Sequence, residues 1–157
     1  MGPVNPSGRY ETSEGVMETR CFSLIPVSRP KVAAWLPADP AIVGHARDLT
    51  AAVLTEWGLS KFVFTTQLIV SELVTNAVVH APCSGSRFRL AVGNTTLRCV
   101  VSDDSGELPR VIHARPDEVH GRGLLVVSEL AHRWGIRTVA TGKAVWAVLR
   151  IPARNAD

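Results

Sequence analysis

Residues 65–81, TTQLIVSELVTNAVVHA, are the stretch that decides the fold of this chain. At 3.6 residues per turn, they divide into two sides of a helix. Glu72, Asn76 and His80 follow one another at i, i+4, so a carboxylate, an amide and an imidazole share one edge. The opposite side is apolar and consists of Ile69, Val70, Leu73, Val74, Ala77 and Val78. The pattern predicts an amphipathic helix whose apolar side packs on a core.

The polar edge of this helix has two interpretations. Amphipathic surface helices commonly carry a solvated polar flank, which is usually rich in Lys, Arg and Glu. Between Phe62 and Ala81, however, His80 is the only basic residue. Short hydrogen-bonding groups with a single carboxylate are more typical of the wall of a polar pocket. We therefore consider Glu72 and Asn76 as candidate functional groups.

The composition is typical of one soluble globular domain, with 157 residues, 46% of them hydrophobic and 20% charged. No apolar run approaches the roughly 20 residues that span a bilayer. The N-terminal sequence lacks the basic start and apolar stretch of a secretory signal. Cys21, Cys83 and Cys99 are an odd number without CxxC spacing, which indicates a reducing cytoplasm and neither a disulfide framework nor a metal site.

The charge pattern predicts no direct contact with nucleic acid. The formal net charge is only +3, and the basic residues are scattered along the sequence without an interleaved aromatic platform. Residues 1–28 are rich in Gly, Pro, Ser and Glu and are predicted to be a mobile tail, with an optional edge strand at 21–26. We expect one domain at 29–153 and a short second tail at 154–157.

The remaining sequence alternates between strand and helix patterns. Asp39 suits the N-cap and Pro40 the first position of a helix, Gly58 suits its left-handed end, and Gly135 is expected to end the third helix. Lys143 lies in the turn of the last hairpin, where a solvated side chain is expected. The predicted strands are 31–36, 87–92, 97–102, 136–140 and 144–151, and the predicted helices are 41–57, 65–81 and 123–133. This order predicts an α/β (α+β) two-layer sandwich, with helices on one face of a mixed, mainly antiparallel sheet.

The run Ser71-Glu72-Leu73-Val74-Thr75-Asn76-Ala77, followed by His80, closely resembles the N box of the GHKL (Bergerat-fold) ATPases. Among these it is most similar to the small anti-sigma-factor serine/threonine kinases of bacteria, of actinobacterial type. The resemblance implies that Asn76 binds the Mg²⁺ that bridges the nucleotide phosphates, and that Glu72 is the catalytic base. It extends from about residue 31 to 152, with two further motifs in the family's order.

The segment Asp103-Asp104-Ser105-Gly106 resembles the G1 box of that family. Turn chemistry alone would also account for these residue types. In the family the Asp accepts a hydrogen bond from the adenine amino group, a task that suits a group that accepts and cannot donate. The spacing to Ser105 and Pro109 favours Asp103 for this role, whereas the family's Asp-Ser-Gly triplet would align Asp104.

The segment Gly121-Arg122-Gly123-Leu124 opens a predicted helix and resembles the G2 box. A helix N-terminus offers unpaired N–H groups and a partial positive charge, which together favour an anion such as a phosphate. Glycine at such a junction often only allows the chain to turn, and Arg122 is as well explained by an exposed surface arginine as by a phosphate contact. His120 departs from the Gly frequent in relatives, and Ala144 departs from the Thr or Ser frequent near that position, whose hydroxyl would help to hold the purine.

The resemblance implies ATP and Mg²⁺ as cofactors and transfer of the γ-phosphoryl group to a Ser or Thr of an anti-anti-sigma partner. It further implies regulation of transcription by sequestration of a sigma factor, in the cytoplasm and away from membranes, and a homodimer as in many relatives. The alternative is an ATP-sensing interaction module with little or no kinase activity.

Overall fold

The computed structural model describes residues 29–82, 84–106 and 123–153. The predicted tails, the optional edge strand at 21–26, Gly121 and Arg122 lie outside these ranges. The described elements in chain order are β1 Lys31–Leu36, α1 Ile42–Glu56, a 3₁₀ turn Ser60–Phe62, α2 Val63–His80, β2 Ser86–Val92, β3 Thr96–Asp103, α3 Gly123–Leu130, β4 Arg133–Val139 and β5 Gly142–Arg150.

The five strands form one sheet in the order β1-β2-β3-β5-β4, and all four described pairings are antiparallel. The helices cover one face of this sheet, which we call the inner face. The predicted two-layer α+β architecture is confirmed. An antiparallel sheet of this kind needs to be covered on one face only, which leaves the other face, the outer face, for different side chains.

Strict alternation along the strands separates the two faces. On β2, Phe88, Leu90 and Val92 are buried on the inner face, while Arg87 and Arg89 are exposed on the outer face. The inner residues of β3 and β5 join the same core, including Cys99, whose complete burial raises its pKa to about 12. The sheet is therefore apolar towards the helices, whereas its outer face carries charged side chains.

Helix α2 is the central element of the helix layer. Its apolar side is fully buried against the sheet, with Ile69, Val70, Leu73 and Val74 all at 0% exposure. Residues 60–80 are long and apolar enough to cross a membrane by length and composition alone, with a mean hydropathy of 1.5. Because α2 also packs between α1 and α3, this composition is that of a core helix in a globular domain.

The end of α1 follows the predicted signal, whereas its start differs: α1 begins at Ile42, and its N-cap residue is Ala41 rather than Asp39. The Asp39 carboxylate accepts a hydrogen bond from the Ala41 N–H at 2.9 Å, which satisfies one of the unpaired donors at the helix start. Gly58 has a φ of +70°, the left-handed conformation expected after the helix. Local sequence signals thus position the connection from β1 into the helix layer.

Two boundaries near the C-terminus differ from the prediction. Helix α3 ends at Leu130 rather than at residue 133, and β4 begins at Arg133, so Gly135 lies within a strand instead of ending a helix. A Cβ at Gly135 would lie 2.7 Å from the Trp146 indole on the neighbouring strand. The glycine therefore permits close packing across the sheet, a tertiary role that also explains glycine inside a strand.

Strand β5 begins at Gly142, two residues before the predicted start, and this corrects the environment of Lys143. The side chain is 1% exposed on the inner face, not solvated in a turn. The turn itself is shorter than expected because Gly142 adopts a φ of +147°, which few other residues adopt.

Candidate functional site

The polar edge of α2 faces the beginning of α3. A Cβ on Gly123 would overlap Oε2 of Glu72, so the carboxylate lies directly against the backbone of the first residue of α3. A side chain at residue 123 would therefore require the Glu72 carboxylate to move away from the start of α3. The predicted N box and the described end of the predicted G2 box are therefore neighbours in the fold.

Glu72 is a partly buried carboxylate within the helix layer. Its pKa is raised above the ordinary value because burial penalises the charged form. A raised carboxyl pKa brings the group closer to neutral pH, where it exchanges a proton more effectively as an acid or base. Glu72 is therefore less solvated than a side chain on an ordinary exposed helix flank.

Asn76, one helical turn after Glu72, carries an unpaired buried donor. Among the described residues, its Nδ2 is the only buried side-chain nitrogen or oxygen without a hydrogen-bond partner. Buried polar groups are nearly always paired, and an exception calls for an explanation such as an absent ligand. The atom would be satisfied by an acceptor such as a phosphate oxygen. The Oδ1 atom of the same amide is a ligand type that Mg²⁺ prefers.

The topology brings the end of β3 to the same end of the molecule. Helix α2 ends at His80, and the chain enters β2 at Ser86 after a short connection. Ser86 is buried and pairs directly with Asp103, the last residue of β3. The predicted G1 motif therefore lies at the sheet end towards which the polar edge of α2 runs.

Asp103 forms a buried ion pair that the sequence analysis missed. Its Oδ1 accepts hydrogen bonds from the Lys143 Nζ at 2.9 Å and from the Ser105 N–H at 2.9 Å. Both charged side chains are 1% exposed, and the two residues face each other across β3 and β5. The second contact is the local turn chemistry that was weighed against a ligand-binding role. The signal that could have revealed Lys143 is its alternation with Val145, which continues the inner face of β5.

The neighbouring residues divide between the two faces of the sheet. Asp104 is exposed and accepts a hydrogen bond from the Ser84 hydroxyl, whereas Asp103 faces the helix layer. Ala144 pairs with Ser102 on the outer face, so a hydroxyl at residue 144 would point away from the helices. The lack of a hydroxyl at residue 144 therefore does not change the inner face of the sheet. At this end of β5, the inner-facing residue is Lys143.

The remaining predicted site residues are placed as follows. Ser105 is partly buried and Gly106 is exposed directly after it. The Leu124 side chain is 7% exposed and belongs to the core, so only its backbone is available at the start of α3. The described part of the candidate site thus comprises two groups of residues: Glu72, Asn76 and Gly123 in the helix layer, and Asp103 with Lys143 at one end of the sheet. The segment 107–122, between the G1 and G2 motifs, lies outside the described residues.

A family model described as a histidine kinase-like ATPase domain matches residues 36–149, from the last residue of β1 to the last but one residue of β5. The matched range includes every residue of the candidate site. A search of the curated proteins found no significant match.

Proposed function

The chain belongs to the histidine kinase-like ATPase family, and we propose that it is an ATP-binding serine/threonine protein kinase of the anti-sigma-factor type. The family suggests ATP binding. The serine/threonine specificity and the regulatory role extend beyond it, and they draw support from the resemblance of the N box and G1 box to that type of kinase.

The observation that carries the proposal is the unpaired Nδ2 of Asn76. A buried amide donor without a partner costs on the order of 1–3 kcal/mol, which a bound ligand would recover. In the proposed complex, the Asn76 amide holds Mg²⁺ and a phosphate oxygen. The ion, when bound, neutralises phosphate charge during phosphoryl transfer.

Glu72 is the proposed general base. In this role its carboxylate accepts the proton of the incoming Ser or Thr hydroxyl while phosphoryl transfer proceeds. The raised pKa of the carboxyl, caused by burial, supports this role because it increases the basicity of the ionised group.

The other site residues are proposed to bind the nucleotide. The Asp103 carboxylate would accept a hydrogen bond from the adenine amino group while Lys143 holds the carboxylate in position. Backbone N–H groups at the start of α3, from Gly121 to Leu124, would contact the phosphates. Arg122, Ser105 and Gly106 complete the proposed nucleotide-binding set.

The proposed partners are an anti-anti-sigma protein as the phosphoryl acceptor and a sigma factor as the sequestered regulator. In this scheme the kinase switches between the two partners according to the phosphorylation state of the acceptor. We place it in the cytoplasm, and a homodimer is proposed by analogy with relatives.

Calorimetry with purified protein tests the nucleotide site directly. We expect Mg²⁺-dependent binding of ATP and ADP to the wild type, and Asn76→Ala to abolish the effect of Mg²⁺ on ATP affinity. Asn94→Ala is the matched control, because Asn94 is exposed in the turn at the other end of the sheet. Absence of nucleotide binding by folded wild-type protein, or an equal effect of the two substitutions, would contradict the proposed site.

Radiolabelled ATP with candidate acceptor proteins tests the chemistry. We expect transfer to a Ser or Thr, and loss of transfer in Glu72→Gln with ATP affinity retained. Glu129→Gln, at an exposed position near the end of α3, is the control.

The alternative function, an ATP-sensing interaction module without kinase activity, is favoured by one observation. The Glu72 carboxylate packs against the α3 backbone rather than standing free to meet a hydroxyl. ATP binding with no transfer to any acceptor, and unchanged partner affinity in Glu72→Gln, would support this module in place of the kinase.

A further inference from the structure

The outer face of the sheet gathers basic residues that are far apart in the sequence. Six arginines occupy outward positions on four strands, namely Arg87, Arg89, Arg98, Arg133, Arg137 and Arg150. Lys31 adds a seventh cation on β1, the edge strand. Asp103 is the only acidic residue in the five described strands, and it lies on the inner face. The outer strand positions therefore carry cations and no carboxylate.

A groove crosses this face at one end. It has a volume of about 450 Å³ and lies between Trp35 and Arg87 on one side and Arg137 on the other, with Ser102 and Ala144 as its small floor residues. Trp35 is 63% exposed, an unusual position for a large aromatic side chain. Asp104 lies at the end of the groove, where it accepts a hydrogen bond from Ser84.

The side-chain types match those of a protein–protein interface. Arg and Trp are enriched in such interfaces and dominate their binding energy, whereas Lys is depleted, and this face carries six Arg to one Lys. Between the cations, Ala33, Ala91, Val100 and Val148 form an apolar floor. A site for a nucleic acid backbone needs positive charge but no such floor.

The positive charge of the outer face indicates which kind of partner could bind there. Two copies of the chain meeting through this face would bring like charges together, which disfavours a symmetric dimer here. Guanidinium groups pair with carboxylates in a planar, two-bonded geometry. We propose that the outer face is a docking surface for an acidic segment of another protein, rich in Asp or Glu with interspersed apolar residues.

The experiment titrates ¹⁵N-labelled full-length protein with a 20-residue peptide of alternating Glu and Leu blocks. The four tryptophans provide a built-in control, since Trp35 and Trp146 lie on the outer face and Trp57 and Trp134 pack on the helix side. We expect the indole N–H signals of Trp35 and Trp146 to shift and the other two to stay in place. The same peptide with Gln for Glu should not bind.

Affinity measurements on variants complete the test. Arg87→Glu/Arg133→Glu reverses two exposed outer charges, and Arg47→Glu/Lys61→Glu makes the same change in net charge on exposed residues of the helix layer. We expect the first pair to weaken peptide binding at least about tenfold and the second by less than about twofold. Trp35→Ala should also weaken binding, and thermal unfolding monitored by circular dichroism verifies that each variant is folded.

Four results would overturn the proposal. Equal weakening by both charge reversals would indicate attraction to net charge alone, and shifts at Trp57 and Trp134 would place the peptide elsewhere. Tighter binding of single-stranded oligo-dT than of the peptide, lost in Arg87→Glu/Arg133→Glu, would assign the face to nucleic acid. A wild-type dimer in sedimentation that this same variant dissociates would assign it to a second copy of the chain.

Discussion

The two faces of the sheet are formed by the same strands but differ in how they carry charge. The inner face is apolar and contains one ion pair, Asp103–Lys143, at the end where the candidate nucleotide site lies. The outer face carries seven cations and no carboxylate on its strands. A charge on the inner face must be paired because water is excluded, whereas a charge on the outer face can remain in contact with water. Removing one member of the inner pair should therefore destabilise the fold, whereas removing an outer charge should have little effect on stability.

Removing the charge of Lys143 is the strongest test of this difference between inner and outer charges. Lys143→Met leaves the Asp103 carboxylate buried with only its backbone contact to Ser105, and we expect a loss of about 3–5 kcal/mol in the free energy of unfolding. Arg87→Met on the outer face should change the free energy of unfolding by less than about 0.5 kcal/mol. Urea denaturation of the three proteins measures both effects.

A double substitution provides the control for that measurement. Asp103→Leu/Lys143→Met removes both charges together, and it should recover much of the stability that Lys143→Met loses. Equal stability of Lys143→Met and the wild type would show that the pair is not desolvated as the structure indicates.

The second prediction compares two glycines on neighbouring strands. At Gly142 the φ of +147° and the backbone of Asp103 and Asp104 both oppose a Cβ, so Gly142→Ala should cost about 3 kcal/mol. At Gly135 the obstacle is only the Trp146 indole, which can move towards solvent, so Gly135→Ala should cost about 1 kcal/mol. Thermal unfolding of both variants tests the order, and a larger loss at Gly135 would contradict it.

The smallest expected effect is a pH dependence at Glu72. Burial raises the folded-state pKa of this carboxyl above its unfolded value, so the folded protein favours the protonated form. The associated stability is present below the unfolded pKa and is lost as pH rises through the folded pKa. Glu72→Gln, which stays neutral, should therefore be more stable than the wild type at pH 7 and equally stable below about pH 4.

Unfolding in urea at several pH values between 4 and 7 measures the difference. Glu129→Gln should show no comparable trend, because Glu129 is exposed on α3. A Glu72→Gln protein less stable than the wild type at pH 7 would mean that the ionised carboxylate makes a favourable contact with the start of α3.

Local sequence patterns were sufficient for most of the fold. The alternation of β2, the 3.6-residue period of α2 and the left-handed Gly58 all act over a few residues, and each is confirmed. The prediction was wrong where a distant residue decided the structure. Gly135 lies in β4, packed closely against the indole of Trp146, and this tertiary contact has no local signal.

The candidate site was predictable in its parts but not in its assembly. The spacing of Glu72 and Asn76 on one helix edge follows from the sequence, and so does the acidic turn after β3. The approach of Gly123 to Glu72 and the pairing of Asp103 with Lys143 join residues that are 51 and 40 positions apart. The unpaired Asn76 donor is likewise a property of the packed structure.

The sequence by itself determined the helix and strand periods, the two-layer α+β class and the residue types of a nucleotide site, because these depend on neighbours within a few residues. Only the tertiary structure decided that Lys143 is buried, that Ala144 faces away from the site, and that scattered arginines form one basic face. The physical reason is strand pairing: alternation assigns each side chain to a face, but the register between distant strands decides which side chains meet there.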